Sequence, residues 1–158
     1  MKSLHRQKGA ELVEFAISSS LLFILLFGII EFSVALFDKS TLTNASREGA
    51  RHGILFRPGE RALAGGSAQC PETVSSENDA IRDAVCRYAE DYLISLGGAA
   101  VMSIDIARSD RNTNTYFDAG DELTVTVNYP YQFLLLPEFV GTLGGILNLS
   151  STIVMRAE

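Results

Sequence analysis

Residues Phe15–Phe37 (FAISSSLLFILLFGIIEFSVALF) form a run of 23 with one charged side chain, Glu31. A helix crosses the hydrocarbon core of a bilayer in about 20 apolar residues at ~1.5 Å rise each, so the run predicts a membrane span over about 15–37. Ser18, Ser19 and Ser20 are tolerated inside it because a helical serine can bond back to a carbonyl one turn earlier. Orientation follows from the flanks: Lys2, Arg6 and Lys8 precede the run, whereas Asp38 and Lys39 cancel just after it. The positive-inside rule therefore predicts a cytoplasmic N-terminus, with everything after about residue 38 on the far side. A cleaved secretory signal is the rival. The run is long for a signal core, Glu14 stands at its entrance, no Ala-x-Ala pattern follows, and the helical pattern continues through FDKSTLTNASREGARHG. A retained anchor is the better account.

Glu14 has two readings. It either lies with Glu11 in the headgroup zone without a role, or it meets a positive group when subunits assemble; a carboxylate at the edge of hydrocarbon costs roughly 2–3 kcal/mol and usually has a partner.

The 158 residues suggest one domain beyond the anchor, and 47% hydrophobic with 20% charged residues is a globular balance. Net charge is −6, and removal of the first nine residues with their three cations would leave about −9. So acidic a body lacks the clustered Lys and Arg that nucleic acid requires. Cys70 and Cys86 lie sixteen apart, outside any CxxC or zinc-like spacing, with only His5 and His52 to join them. In an oxidising compartment a disulfide is the natural reading, stabilising by about 3 kcal/mol in the chain-entropy model; the alternative is two free thiols.

After a long helix over 10–56, the stretch 57–74 (RPGERALAGGSAQCPETV) has the Pro and Gly content of a loop. Ser75-Ser76-Glu77-Asn78 opens a second helix over about 76–96, with Ile81, Val85, Tyr88, Ala89 and Tyr92 at helical spacing and Gly97-Gly98 as its stop. The period then changes to two in Val101–Ala107, Glu122–Tyr129 and, more weakly, Leu147–Met155. The expected fold class is α+β: a long N-terminal helix, a second helix and a three-stranded antiparallel sheet in a domain over 57–158. Leu134, Leu135, Leu136, Phe139 and Val140 are too apolar for a solvated loop. They either fold back as core or form a patch that docks on a neighbour or on the bilayer surface.

Two further patterns bear on sites. Ala45, Gly49 and Gly53 recur every four residues and line one helix face, allowing close backbone approach, while Glu48 can reach Arg51 and Arg47 lies one turn from Arg51. That face packs either on its own domain or on another subunit. Asp110, Asn112, Asn114, Asp118 and Asp121 fall at EF-hand-like offsets, but Thr115 replaces the expected glycine and Asp121 the bidentate glutamate. A polar turn between strands is the better account, with calcium the lesser alternative.

The segment Gly9-Ala10-Glu11-Leu12-Val13-Glu14-Phe15 resembles the processing site of type IV prepilins, a short basic leader (1–9) ending in glycine. More specifically, residues 9–53 resemble the TadE/TadF-type pseudopilins of tight-adherence pili. The resemblance is carried by Gly9, Val13-Glu14-Phe15, Gly28-Ile29-Ile30-Glu31-Phe32 and Thr43-Asn44-Ala45-Ser46-Arg47-Glu48-Gly49-Ala50-Arg51, with Ser150–Arg156 similar to the family's ending. Ser46 stands where alanine is commoner and Ser20 where proline is expected. The resemblance implies cleavage between Gly9 and Ala10 by a prepilin peptidase, and pairing of Glu14, next to Phe15, with the amino terminus of a neighbour. It also implies other pilus subunits and membrane lipid as partners, in a bacterial inner-membrane protein with a periplasmic C-terminal domain.

Catalysis has little support: the chain holds no GxSxG, HExxH or phosphate-binding glycine loop, and no base beside a nucleophile can be picked out. No cofactor or small-molecule substrate is expected. The functional expectation is a minor pilin that assembles into or primes a tight-adherence pilus. Its alternatives are a non-polymerising membrane-anchored periplasmic adaptor and, with least support, a membrane-bound hydrolase.

Overall fold

A computed structural model of the chain describes residues 4–55, 57, 59–98, 100–134 and 146–158. Helix α1 runs over Leu4–Ile54, 51 residues or about 76 Å at ~1.5 Å per residue. It has two unlike halves. From Gly9 to Ile30 the residues are exposed, apart from half-covered Ser19 and Gly28. From Glu31 onward one face is buried, through Glu31, Ala35, Asp38, Leu42, Ala45, Gly49 and Gly53. Steps of three and four put these residues on one stripe.

That stripe packs on helix α2 (Glu77–Tyr92) and on a four-stranded antiparallel meander: β1 Gly66–Ala68, β2 Ser103–Ser109, β3 Glu122–Gln132 and β4 Ile146–Arg156, in that order. Alternate residues of β3 (Leu123, Val125, Val127, Tyr129, Tyr131) face inward, with Ile104 and Ile106 of β2, Leu149 of β4, and Ile81 and Val85 of α2 completing one core. Gly49 and Gly53 allow the close approach. A methyl on Gly49 would lie 2.4 Å from the Val85 side chain, and one on Gly53 2.4 Å from Leu123.

The sheet has four strands where three were expected. Strand β1 lies in the stretch expected to be loop, because Gly-Ser-Ala at an exposed edge carries no apolar alternation. What admits it is Gly65: a Cβ there would stand 1.9 Å from the Ile106 carbonyl oxygen. Strand β3 also continues three residues past Tyr129, through Pro130. The partner β2 ends at Ser103, opposite Asn128, so Pro130 pairs only with Asn148 of β4 and its missing N–H interrupts no inner ladder.

Helix α2 starts as expected, on a capping box in which Ser76 and Asp79 satisfy each other's backbone N–H. It stops four residues before the expected 96. Leu93 turns extended, and the N–H of Ile94 is taken by Asp38 Oδ1 at 3.0 Å, so a tertiary acceptor ends the helix. Gly97 instead lies against the end of β3, where a Cβ would stand 2.3 Å from the Gln132 carbonyl oxygen. Cys70 and Cys86 are joined in a disulfide that pins the β1–α2 connection to α2.

Candidate functional site

The feature that sets this chain apart is the boundary between the halves of α1. On the stalk side, thirteen large apolar side chains between Leu12 and Ile30 are exposed, distributed all round the helix. Gly9 and Ala10 lie within α1, both exposed, and a methyl on Gly9 would meet nothing within 4 Å. Glu14 and Phe15 are exposed farther along, on a stalk that no other part of the described chain covers.

On the domain side the first buried side chain is a carboxylate. Glu31 is fully buried, and its Oε1 accepts the Tyr131 hydroxyl at 3.2 Å and the Leu134 N–H at 2.9 Å. Burial, with the Glu31 charge beside it, pushes the Tyr131 hydroxyl far above the ordinary phenol range, so it remains a donor. Two turns on, Asp38 is also fully buried and holds the Ile94 N–H; its Oδ2 has no hydrogen-bond partner among the described residues. Burying two carboxylates on one helix face is costly unless donors meet them. The donors here come from the end of β3 and the end of α2, so the pair fixes the register at which the helix leaves the domain. A third polar contact continues the stripe: buried Ser46 bonds Ser151 Oγ of β4 at 2.8 Å and the Thr43 carbonyl at 3.0 Å. Lys39 donates to the Ser150 carbonyl on the same strand.

The structure separates the remaining candidates. Ala45, Gly49 and Gly53 face into the chain's own domain, whereas Arg47 and Arg51 point outward; Glu48 bridges Arg51 at 3.1 Å on the surface. His52 contacts the Arg57 guanidinium at 3.1 Å. In the EF-hand-like turn the acidic side chains are engaged by the turn itself. Asp110 accepts the N–H groups of Asn112 (3.0 Å) and Thr115 (2.8 Å), Asp118 the side-chain amides of Asn112 and Asn114, and Asp121 the N–H groups of Arg111 (2.9 Å) and Asp118 (3.0 Å). Among the described residues no three His, Cys, Asp or Glu side chains converge as a metal group. Of the apolar connection, Leu134 is exposed, and Leu135, Leu136, Phe139 and Val140 lie outside the described residues.

At the far end of the domain Glu77 binds Arg61 (Nε at 3.1 Å) and Arg108 (3.4 Å). Both guanidiniums stack on the buried ring of Phe117, at 4.6 and 5.3 Å from its centroid. Burial opposes ionisation of Glu77, but the Arg61 and Arg108 charges outweigh it and hold the carboxyl below its ordinary range.

Sequence reasoning gave no site role to Glu31, Asp38, Tyr131 or the Ser46–Ser151 pair. A signal was present for two of them: Glu31 and Asp38 are seven residues apart, hence on one helix face, in step with Ala35, Leu42 and Ala45. Nothing in the sequence pairs Tyr131 or Ser151 with the helix.

Residues 9–51 match the family model of the TadE-like proteins, a match that ends within the long helix. No curated protein and no solved structure matches the chain.

Proposed function

We propose that this chain, TadE-like along α1, is a membrane-anchored pseudopilin that takes part in assembling or priming a tight-adherence pilus, a structural role rather than a catalytic one. One observation carries the reading: the segment that matches the family includes the half of α1 that stands bare of the domain and apolar on every side. Burying a large apolar side chain gains about 1.5–3 kcal/mol, so thirteen of them exclude water as a resting environment. A bilayer supplies that burial first, and the helices of neighbouring subunits supply it after extraction.

In this reading the basic leader 1–9 stays cytoplasmic, the peptidase cuts between Gly9 and Ala10, and residues beyond the stalk are periplasmic. Glu14 then lies near the new terminus, where pairing with a neighbour's amino group offsets the cost of each charge in a low-dielectric setting. Phe15 packs beside it.

The test is the terminus of the protein taken from membranes of a peptidase-competent cell. Mass spectrometry should show a chain beginning at Ala10. Gly9→Leu should leave the leader in place, and Glu14→Ala should be cut normally yet enter pili poorly. A wild-type chain that keeps residues 1–9 and remains a lone membrane-bound unit would instead identify a non-polymerising adaptor.

A further inference from the structure

The stalk's exposed apolar side chains run from Leu12 to Ile30, about 28 Å at ~1.5 Å per residue and close to the ~30 Å thickness of a bilayer's hydrocarbon core, with Glu11 and Glu14 toward its cytoplasmic edge. The apolar run of the sequence extends to Phe37, but from Glu31 on the helix is already part of the domain. With the stalk filling the hydrocarbon, the bilayer surface meets the chain at Glu31. The lower edge of the domain then lies at headgroup level, and that edge is apolar. Phe32 (56%) and Leu36 (70%) are exposed on α1, Leu134 (59%) just past β3 and Ile146 (52%) at the start of β4. Phe32 stands 6.1 Å from the Phe133 ring, and with Leu36, Lys39 and Leu147 it lines a shallow groove of about 280 Å³.

We infer that this lower edge, built from Phe32, Leu36, Leu134 and Ile146, is a lipid-docking surface that seats the domain on the bilayer. The inference rests on the anchor reading above and extends it from the helix to the domain. Lipid is the occupant favoured because the edge surrounds the point where the stalk leaves the domain. Leu134 is held there through the bond from its own N–H to Glu31, so insertion of the stalk brings the edge to the lipid with no further encounter. Lys39, one turn above Leu36, lays its apolar stem along the groove while its ammonium donates to the Ser150 carbonyl.

The chain has no tryptophan, so single reporters are clean. Full-length Leu134→Trp, Ile146→Trp, Leu22→Trp (stalk) and Tyr116→Trp (far end of the domain) would be reconstituted into phosphatidylcholine vesicles, with and without lipid brominated high on its acyl chains, and for Leu22→Trp also with lipid brominated near the chain ends. All four positions are exposed, so each variant should fold. Leu134→Trp and Ile146→Trp should emit to the blue of Tyr116→Trp and lose most of their intensity to the brominated lipid, which should leave Tyr116→Trp unquenched. If Leu22→Trp is quenched but both edge reporters behave like Tyr116→Trp, docking is wrong while the anchor stands. If Leu22→Trp also escapes quenching, the anchor reading falls with it. A blue shift at the edge that grows with protein-to-lipid ratio and ignores the bromine would assign the edge to a second copy of the chain and overturn the lipid proposal.

Discussion

The two halves of α1 share one backbone conformation and differ in what surrounds them. The half from Gly9 to Ile30 has large apolar side chains on all sides and no partner within the described chain. The half from Glu31 to Ile54 has a narrow buried stripe of small and polar residues, Ala35, Asp38, Ala45, Ser46, Gly49 and Gly53, set against α2 and the sheet. Apolar content is therefore highest where the helix packs on nothing of its own. On the proposed anchor reading the first half needs only side chains that suit a uniform apolar solvent, whereas the domain-facing half needs shape, hence glycine and alanine where α2 crosses, and hydrogen-bond register, hence Glu31, Asp38 and Ser46. The boundary consequently comes at Glu31, six residues before the apolar run ends.

If that contrast is right, equal truncations in the two halves' surroundings have unequal effects. Ile81 is fully buried between α1 and the sheet, and Ile81→Ala should cost roughly 2–5 kcal/mol of domain stability. Leu22→Ala removes more exposed apolar surface from the stalk yet should leave the domain's thermal midpoint in detergent unchanged. Circular dichroism melts of the full chain would read both, and comparable losses would mean that the stalk belongs to the domain's cooperative unit.

Adding volume is a sharper probe than removing it. Valine at Gly49 recovers part of the ~1 kcal/mol by which glycine weakens a helix, but its branches must enter space already held by Val85 and the Ile81 carbonyl oxygen, 2.4 and 3.2 Å from the first added carbon. Overpacking typically costs about 1–3 kcal/mol, so Gly49→Val should be net destabilising. A higher midpoint in the same melts would show that the α1–α2 contact is looser than the glycine stripe implies.

The periodic parts of this plan could be read from the sequence, and the parts built by a single close approach could not. The period-two runs announced β2, β3 and β4, the serine-acid cap announced α2, and the apolar run announced the stalk. Strand β1 escaped notice because edge pairing of Gly-Ser-Ala depends on Gly65 lying against Ile106, a fact of tertiary contact. The end of α2 was misplaced for a similar reason: Asp38, more than fifty residues upstream, captures the Ile94 N–H. At the candidate site, Glu31 was visible as the one charge in the run, but its donors Tyr131 and Leu134 are a hundred residues away.

The smallest expected effect concerns pH, and it too separates the halves. Glu77 is held below its ordinary range by Arg61 and Arg108, against its burial. Asp79 is held down to about 2 by the Ser75 and Ser76 hydroxyls and N–H groups at the start of α2. Both folded-state values lie below the unfolded ones, near 4.5 and 3.8, so these carboxylates stabilise the domain above about pH 5 and lose that contribution as pH falls toward 2. The domain's melting midpoint should therefore drop across that window. Glu77→Gln should flatten the drop, because glutamine keeps the size of the side chain but has no proton to take up. Leu22→Ala in the stalk should reproduce the wild-type slope. A Glu77→Gln chain as acid-sensitive as wild type would move the origin of that sensitivity away from the arginine cluster and onto Asp79 at the start of α2.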